Sequence, residues 1–315
     1  MPITQNILLA TLVCSSVGAT FVNKYVLSVL KFTYPTVYQS WQTGVTAAIL
    51  LSLSAFGLIQ FAVIDRQSSK HWIPAMCFFT VGIYSGSKAL SRLPIPIFFT
   101  MLHLVHVSIA FVDEIYFRKH NSPLSLFGAI LGLVGLAVTI KSDTEFDVLG
   151  YKWMVVHCLC SASYSIFAKK VFKSSLREID KIMLNSLFSV IVLMGFGTYT
   201  GEVGRSLNFP FIYYKKFHAG CITSGISGAL LGLSYSRLAE VMPVSKIRWI
   251  STLAMVLTSA LSLFIFQFTL SVPLVLGITV GLLGSVIYTY SNYANTDIGT
   301  DSRKDEDVLP NERIA

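Results

Sequence analysis

Two lysines lie within apolar stretches of the sequence, where a charged side chain is costly and is therefore a candidate for function. Lys24 lies near the end of the first apolar stretch. Lys88 follows Tyr84 by four positions, so that both side chains project from one face of a helix. An aromatic ring beside a cation suits a nucleotide, because the ring stacks on the base while the cation meets phosphate. The alternative for both lysines is an ammonium group that reaches the membrane surface from a helix end.

A basic cluster, Lys246, Arg248 and Trp249, follows Pro243 at the start of a later apolar stretch. The N-terminus of a helix carries partial positive charge, which favours an anion at this position. An anionic ligand in a membrane cavity would need cations to compensate it, because an unpaired buried charge costs several kcal/mol. The alternative interpretation is a set of basic residues at the membrane interface.

Two histidines, His103 and His106, are three positions apart on one helical face, and Asp113 and Glu114 follow them. This arrangement is compatible with a path for metal ions, but a pair of hydrogen-bonded core histidines explains it better. The sequence contains no glycine-rich phosphate loop followed by lysine, no nucleophile elbow and no HExxH motif. We therefore predict neither enzyme activity nor a cofactor nor a metal site.

The composition shows what surrounds these residues. Of 315 residues, 53% are hydrophobic and only 13% are charged, with a mean hydropathy of +0.65. Soluble domains carry about 25% charged residues. The difference excludes a disordered chain, a nucleic-acid-binding domain and an ordinary cytosolic enzyme, and it predicts a surface that faces the lipid bilayer. The net charge of +8 is explained by basic loops on the cytosolic side of a membrane.

The pattern of apolar segments predicts an all-α, multi-pass membrane protein with ten transmembrane helices. The ten segments cover residues 4–27, 36–61, 72–91, 94–117, 124–141, 149–168, 182–201, 218–236, 243–268 and 271–293. Lysine and arginine are concentrated in alternate connections, most strongly at 169–181, which predicts that both termini are cytosolic. The absence of a basic region before the first segment argues against a cleaved signal peptide. Residues 294–315 are predicted to form a disordered cytosolic tail.

A short internal repeat suggests how the ten segments are organised. The stretch Lys88–Ile95 closes the third segment and opens the fourth, and Arg237–Val244 does the same for the eighth and ninth. Both contain a cation six positions before a proline, so Arg237 is a candidate site residue as the counterpart of Lys88. The predicted halves are 1–141 and 142–293. Each would hold five helices, an odd number, so the halves would be inverted in the membrane, as in secondary transporters.

Two stretches carry a resemblance to a known family. Asn23–Thr36, followed by Gln39 and Gln42, resembles the first-helix signature of nucleotide-sugar transporters in the drug/metabolite transporter superfamily. Ile83–Leu90, with Pro96–Phe98 after it, also resembles this family. The first stretch is similar to the GDP-mannose branch, and more similar to a vertebrate branch that carries UDP-N-acetylglucosamine in the Golgi. The resemblance implies ten helices, inverted halves and cytosolic termini.

The second half of the chain departs from the GDP-mannose pattern. Where that branch has Phe-Tyr-Asn-Asn to hold the base, this chain has Met183–Ser186, so the resemblance carries over Asn185, with Ser186 beside it. Where the branch has Gly-Ala-Leu-Asn-Lys, this chain has Ser251–Met255 and no lysine. A fourth-helix lysine of the branch aligns with His103. The departures make guanine a poor fit and favour a uracil nucleotide.

The resemblance implies a Golgi antiporter that exchanges UDP-N-acetylglucosamine for UMP by alternating access. The alternatives are a GDP-mannose transporter, an exchanger of small organic phosphates and a membrane scaffold that transports nothing. An intramembrane enzyme or metal carrier built on the histidines is a further class. A homodimer and a distribution between endoplasmic reticulum and Golgi are left open.

Overall fold

The computed structural model describes residues 2–62, 66–118, 120–168 and 176–308, with side chains described except at Pro2, in 66–68 and in 297–308. All regular elements in this part of the chain are helical, which confirms the all-α prediction. In chain order they are α1 (Pro2–Lys24), α2 (Pro35–Ala55), α3 (Arg66–Arg92), α4 (Ile95–Met101), α5 (His103–Ile115), α6 (Pro123–Ser142), α7 (Val148–Ile166), α8 (Glu178–Tyr199), α9 (Glu202–Ser206), α10 (Lys215–Val241), α11 (Val244–Ile265) and α12 (Val272–Val308). A π-helical turn, Tyr25–Val29, continues α1.

Six helical stretches among the described residues are long and apolar enough to cross a membrane, and the chain is a multi-pass membrane protein. They are Ile3–Val29, Ile95–Ile115, Pro123–Ser142, Glu178–Tyr199, Val244–Ile265 and Val272–Thr296. Helices α2, α3, α7 and α10 are of similar length, with 21, 27, 19 and 27 residues, but are less apolar. Their polar residues include Gln39, Ser85 and Ser224, all buried inside the protein. In α2, α3 and α10, such buried polar side chains contribute to the lower hydropathy.

The helix boundaries differ from the predicted segments at three places. Helix α2 ends at Ala55, because Gly57 adopts a left-handed conformation with φ of 72°. The fourth segment is divided at Leu102 into α4 and α5. Helix α12 continues to Val308, so part of the stretch predicted as a tail has a helical backbone. Residues 169–175 of the basic connection and 309–315 of the tail lie outside the described residues.

Local sequence signals fix several helix starts. Pro123 begins α6, and the Ser122 hydroxyl caps it by accepting a hydrogen bond from the Ser125 backbone N–H at 3.2 Å. Asp147 caps α7 in the same way through the backbone N–H groups of the second and third residues of that helix. Arg92, the last residue of α3, donates to Asp147 at 2.8 Å. This contact holds the pKa of Asp147 below its usual range and ties the end of α3 to the start of α7.

Helices that are distant in the sequence pack against one another. Helix α6 packs most extensively against α12, α3 against α7, α1 against α10, and α2 against α8. Helix α4 contacts α11. The largest buried cluster surrounds α4 and consists mainly of aliphatic and aromatic side chains from α3, α4, α7 and α12. This packing buries polar side chains of α2, α3 and α10 inside the protein.

Helices α6 and α12 approach each other along a stripe of glycines. A Cβ atom on Gly135 would collide with the backbone nitrogen of Gly281, and one on Gly284 would collide with that of Gly132. A Cβ atom on Gly277 would lie 2.7 Å from the backbone nitrogen of Thr139. The two backbones are therefore in direct contact, as in membrane helix pairs with small residues at the interface. The order of these contacts shows that α6 and α12 are antiparallel.

Candidate functional site

Lys88 and Tyr84 lie together on one face of α3, as their spacing predicts. The Lys88 ammonium nitrogen lies 5.6 Å from the centre of the Tyr84 ring. That ring also makes edge contacts with Trp153 of α7 at 5.7 Å and with Phe196 of α8 at 6.3 Å. Lys88 is partly buried, and no described carboxylate forms an ion pair with it. A partly buried cation beside an aromatic ring is suited to an anionic ligand that itself contains a ring.

A second cation cluster lies where the first turns of α11 pack against α12. The Lys246 nitrogen lies 5.9 Å from the centre of the Tyr293 ring. Trp249 stacks on the same ring, with centroids 5.6 Å apart and an interplanar angle of 9°, and also contacts Tyr290. Arg248 lies within electrostatic range of Tyr288. Neither cation has an ion-pair partner among the described carboxylates.

Lys24 has a different environment, because its ammonium group is hydrogen-bonded to the backbone inside the protein. Its ammonium group donates to the backbone oxygens of Leu90 and Leu93, both at 2.9 Å, and the residue is only 7% exposed. These oxygens belong to the last turn of α3 and the residue that follows it, where backbone carbonyls have no helical partner. Lys24 therefore links the end of α1 to the end of α3 through hydrogen bonds.

We expect Lys24→Met to lower the free energy of unfolding by about 3 kcal/mol, because two buried carbonyl oxygens lose a charged donor. The melting temperature of the purified protein in detergent measures this effect. Lys88→Met is the matched control, since Lys88 makes no such hydrogen bonds among the described residues. Equal melting temperatures for the two variants would contradict the structural role of Lys24.

Asn185 lies in α8 and is 2% exposed. Its side-chain oxygen accepts a hydrogen bond from the Trp72 indole N–H at 3.1 Å, and its amide group donates to the Tyr164 hydroxyl at 3.0 Å. The side chain thus joins α8 to α3 and α7. Ser186 beside it is also buried, with 3% exposure. The amide of Asn185 is largely occupied by protein partners, and this geometry leaves it little capacity to bind a base.

His103 is fully buried between three helices. Its Nδ1 lies 2.8 Å from the Ser285 hydroxyl on α12, and its Nε2 lies 3.0 Å from the Ala129 oxygen on α6. Both ring nitrogens of His103 are therefore occupied by hydrogen bonds within the protein.

Arg237, the repeat counterpart of Lys88, lies at the surface near the end of α10. Its side chain is 48% exposed and lies 3.5 Å from Glu240. Within the described ranges, no group of three or more His, Cys, Asp or Glu residues is arranged to hold a metal ion.

A polar layer between α1, α2 and α10 was not among the predicted site residues. The Asn23 side-chain oxygen accepts hydrogen bonds from the Tyr38 hydroxyl at 2.8 Å and the Ser224 hydroxyl at 2.7 Å. Gln39 extends the layer to α3 by donating to Ser87 at 2.5 Å. The signal for this layer is present in the sequence, since amide side chains within apolar segments require internal partners. The partners are too distant in sequence to be identified from it.

Comparison with known proteins identifies the class of this membrane protein. The chain is 39% identical over 283 residues to the UDP-N-acetylglucosamine transporter TMEM241 homolog of Xenopus laevis, covering 89% of this chain and 95% of that protein. It is 34% identical to the mouse UDP-N-acetylglucosamine transporter TMEM241, covering 92% and 98%. A GDP-mannose transporter of Aspergillus oryzae is 27% identical, covering 87% and 77%. The chain therefore belongs to the nucleotide-sugar transporter family, as its sequence motifs predict.

The fold of the chain is also found in a protein of known structure. A solved crystal structure has the same fold, with a TM-score of 0.59, 13% identity, and coverage of 91% of this chain and 98% of the other. At this identity the likeness establishes the fold alone. No protein-family model matches the chain.

Proposed function

We propose that this protein carries UDP-N-acetylglucosamine across the Golgi membrane in exchange for UMP. The observation that carries the proposal is the presence of Lys88, Lys246 and Arg248 in membrane-embedded helices without ion pairs to the described carboxylates. Unpaired charge in a membrane is costly and is retained where it serves transport. A nucleotide sugar supplies the missing negative charge through its pyrophosphate. The relatives named as UDP-N-acetylglucosamine transporters support this cargo.

The proposed layout has ten spans in two inverted halves, 1–141 and 142–293, with both termini in the cytosol. The helix pairing supports it. If α4 and α5 form one span, the five spans of the first half correspond in order to α7, α8, α10, α11 and α12 of the second. Under this correspondence the α1–α10 pair becomes the α7–α3 pair. The α2–α8, α6–α12 and α4–α11 pairs become themselves. All of these contacts are present in the structure. A pairing pattern that survives this exchange is expected of two similar halves related by a pseudo-twofold axis in the membrane plane.

A constant sequence offset supports the same layout. Lys88 and Arg237 are 149 positions apart, and so are Pro94 and Pro243. The glycines of the α6–α12 stripe keep the same offset, in the pairs Gly128 and Gly277, Gly132 and Gly281, and Gly135 and Gly284. The antiparallel arrangement of α6 and α12 agrees with five spans in each half, because corresponding helices then cross the membrane in opposite directions.

The two cation clusters would then serve opposite ends of one path. Lys88 lies near the luminal end of α3, and Lys246 with Arg248 lies near the cytosolic end of α11. In alternating access the halves rock against each other, so that a ligand held between them faces each side in turn. A carrier without bound ligand would change slowly between its two conformations, because its cations would have no counter-charge. This property would enforce exchange rather than one-way transport.

Epitope accessibility tests the proposed orientation. Tags at the N-terminus and the C-terminus should bind antibody when only the plasma membrane is permeabilised. A tag inserted at 205–210 should bind only after the Golgi membrane is opened. A luminal C-terminus would mean an odd number of spans and would contradict the ten-span layout.

Uptake by liposomes containing the purified protein tests the cargo. We expect UDP-N-acetylglucosamine to be taken up faster than GDP-mannose or any other labelled nucleotide sugar. Preferential uptake of GDP-mannose would instead assign the protein to the activity named for its more distant relatives.

A further inference from the structure

His106 differs sharply from the other histidine on its helix. Its ring is buried, with 9% exposure, and is stacked on Tyr288 of α12 with centroids 5.1 Å apart and an interplanar angle of 23°. Its Nδ1 is buried without a hydrogen-bond partner in the described part of the protein. His103, three residues earlier, has partners for both ring nitrogens. An unpaired polar atom in a protein interior costs stability, and one that persists calls for an explanation in function.

Two more unpaired polar atoms lie close to Arg248 on α11. The Trp249 indole nitrogen and the Ser245 hydroxyl oxygen are both buried without a hydrogen-bond partner among the described residues. These residues are four positions apart and therefore lie on one face of the helix. His106 packs against Tyr288 of α12, and Trp249 packs against Tyr290 and Tyr293 of the same helix, so both side chains lie against α12. The region thus combines two cations, Lys246 and Arg248, with stacked aromatic rings and three polar groups that have no hydrogen-bond partner among the described residues.

We propose that His106 and Trp249 determine specificity by binding the nucleoside part of the transported nucleotide, while Arg248 meets a phosphate oxygen. This inference rests on the proposed function and names residues that the family resemblance does not supply. A nucleoside offers both donors and acceptors, in its base and in its ribose hydroxyl groups, for an imidazole nitrogen and an indole N–H. Because substrate and returning product share the nucleoside, the same contacts would serve both. The sugar would lie outside this subsite.

His106→Phe is the direct test, because it keeps a flat ring on Tyr288 and removes the unpaired nitrogen. In liposomes we expect the KM for UDP-N-acetylglucosamine and the Ki of UMP to rise by the same factor, about tenfold, for the loss of one hydrogen bond. The melting temperature should stay the same or rise, since an unsatisfied polar group has been replaced by an apolar one. Trp249→Phe should show the same combination, and His106→Gln should recover part of the affinity.

His103→Phe is the matched control, because it removes two hydrogen bonds that are present. It should lower the melting temperature by several degrees or prevent purification. A wild-type KM in His106→Phe, or a loss of stability as large as in His103→Phe, would overturn the inference while leaving the proposed function intact. A rise in KM without a rise in the Ki of UMP would also overturn it, because the contact would then belong to the sugar. If the wild-type protein transports no nucleotide sugar, the proposed function fails first and this inference fails with it.

Discussion

Gly135→Val is expected to abolish the accumulation of folded protein. Even a Cβ atom at this position collides with the backbone of Gly281, and neither backbone is the flexible end of a side chain. Overpacking of an interior costs about 1–3 kcal/mol where side chains can move, and more where they cannot. The α6–α12 contact is the most extensive between any two helices of the described chain. Separating these helices should therefore disrupt the whole bundle.

Size-exclusion chromatography of the detergent-solubilised protein measures this outcome as loss of the monodisperse peak. Gly195→Val is the matched control, because a Cβ atom at Gly195 meets nothing within 4 Å and the residue is exposed on α8. We expect it to behave like the wild type. A monodisperse Gly135→Val protein with the wild-type melting temperature would show that the glycine stripe is not required for the fold.

Lys88→Ala is expected to eliminate transport while the protein remains folded. Lys88 contacts the Tyr84 ring but forms no ion pair with the described carboxylates, so its removal leaves no protein charge unpaired. Lys88→Arg should keep part of the activity, because it preserves the charge but changes the geometry of hydrogen bonding. Initial uptake rates in liposomes, with melting temperatures measured in parallel, test both variants. Uptake at the wild-type rate by Lys88→Ala would remove this residue from the site.

Local features of the site were predictable from the sequence. The four-residue spacing of Tyr84 and Lys88 follows from helix geometry, and the structure places the two side chains together. The cluster of Lys246 and Trp249 follows from the position of Pro243, which precedes α11. Its partner Tyr293 on α12 could not be named, because helix pairing leaves no local signal.

The role of Lys24 was not predictable for the same reason. The sequence shows a cation in an apolar segment, but the oxygens that engage it lie 66 and 69 positions away. A buried cation that binds backbone carbonyls and one that awaits a ligand have the same sequence pattern. Asn185 presents a similar ambiguity, since the family pattern suggests a base contact whereas its amide joins Trp72 to Tyr164.

The apolar pattern predicted where the helices lie in the sequence better than it predicted which of their faces contact the rest of the protein. Helices α2, α3, α7 and α10 fall short of the apolarity of a simple span. In α2, α3 and α10, part of the cause is polar residues that face the protein interior, such as Gln39, Ser85 and Ser224. The glycines of α6 and α12 show what the sequence alone does not predict, which is the partner of each helix. Their spacing is visible in the sequence, but only the structure shows that the two stripes face each other.

Trans-stimulation of uptake tests most directly whether the protein exchanges UDP-N-acetylglucosamine for UMP. Liposomes containing the purified protein are loaded with UMP, with GMP or with buffer alone, and the initial uptake of labelled UDP-N-acetylglucosamine is measured. We predict fast uptake into UMP-loaded liposomes and slow uptake into the other two. Equal rates in all three would contradict exchange, and the fastest uptake with GMP inside would contradict the assignment of a uracil nucleotide.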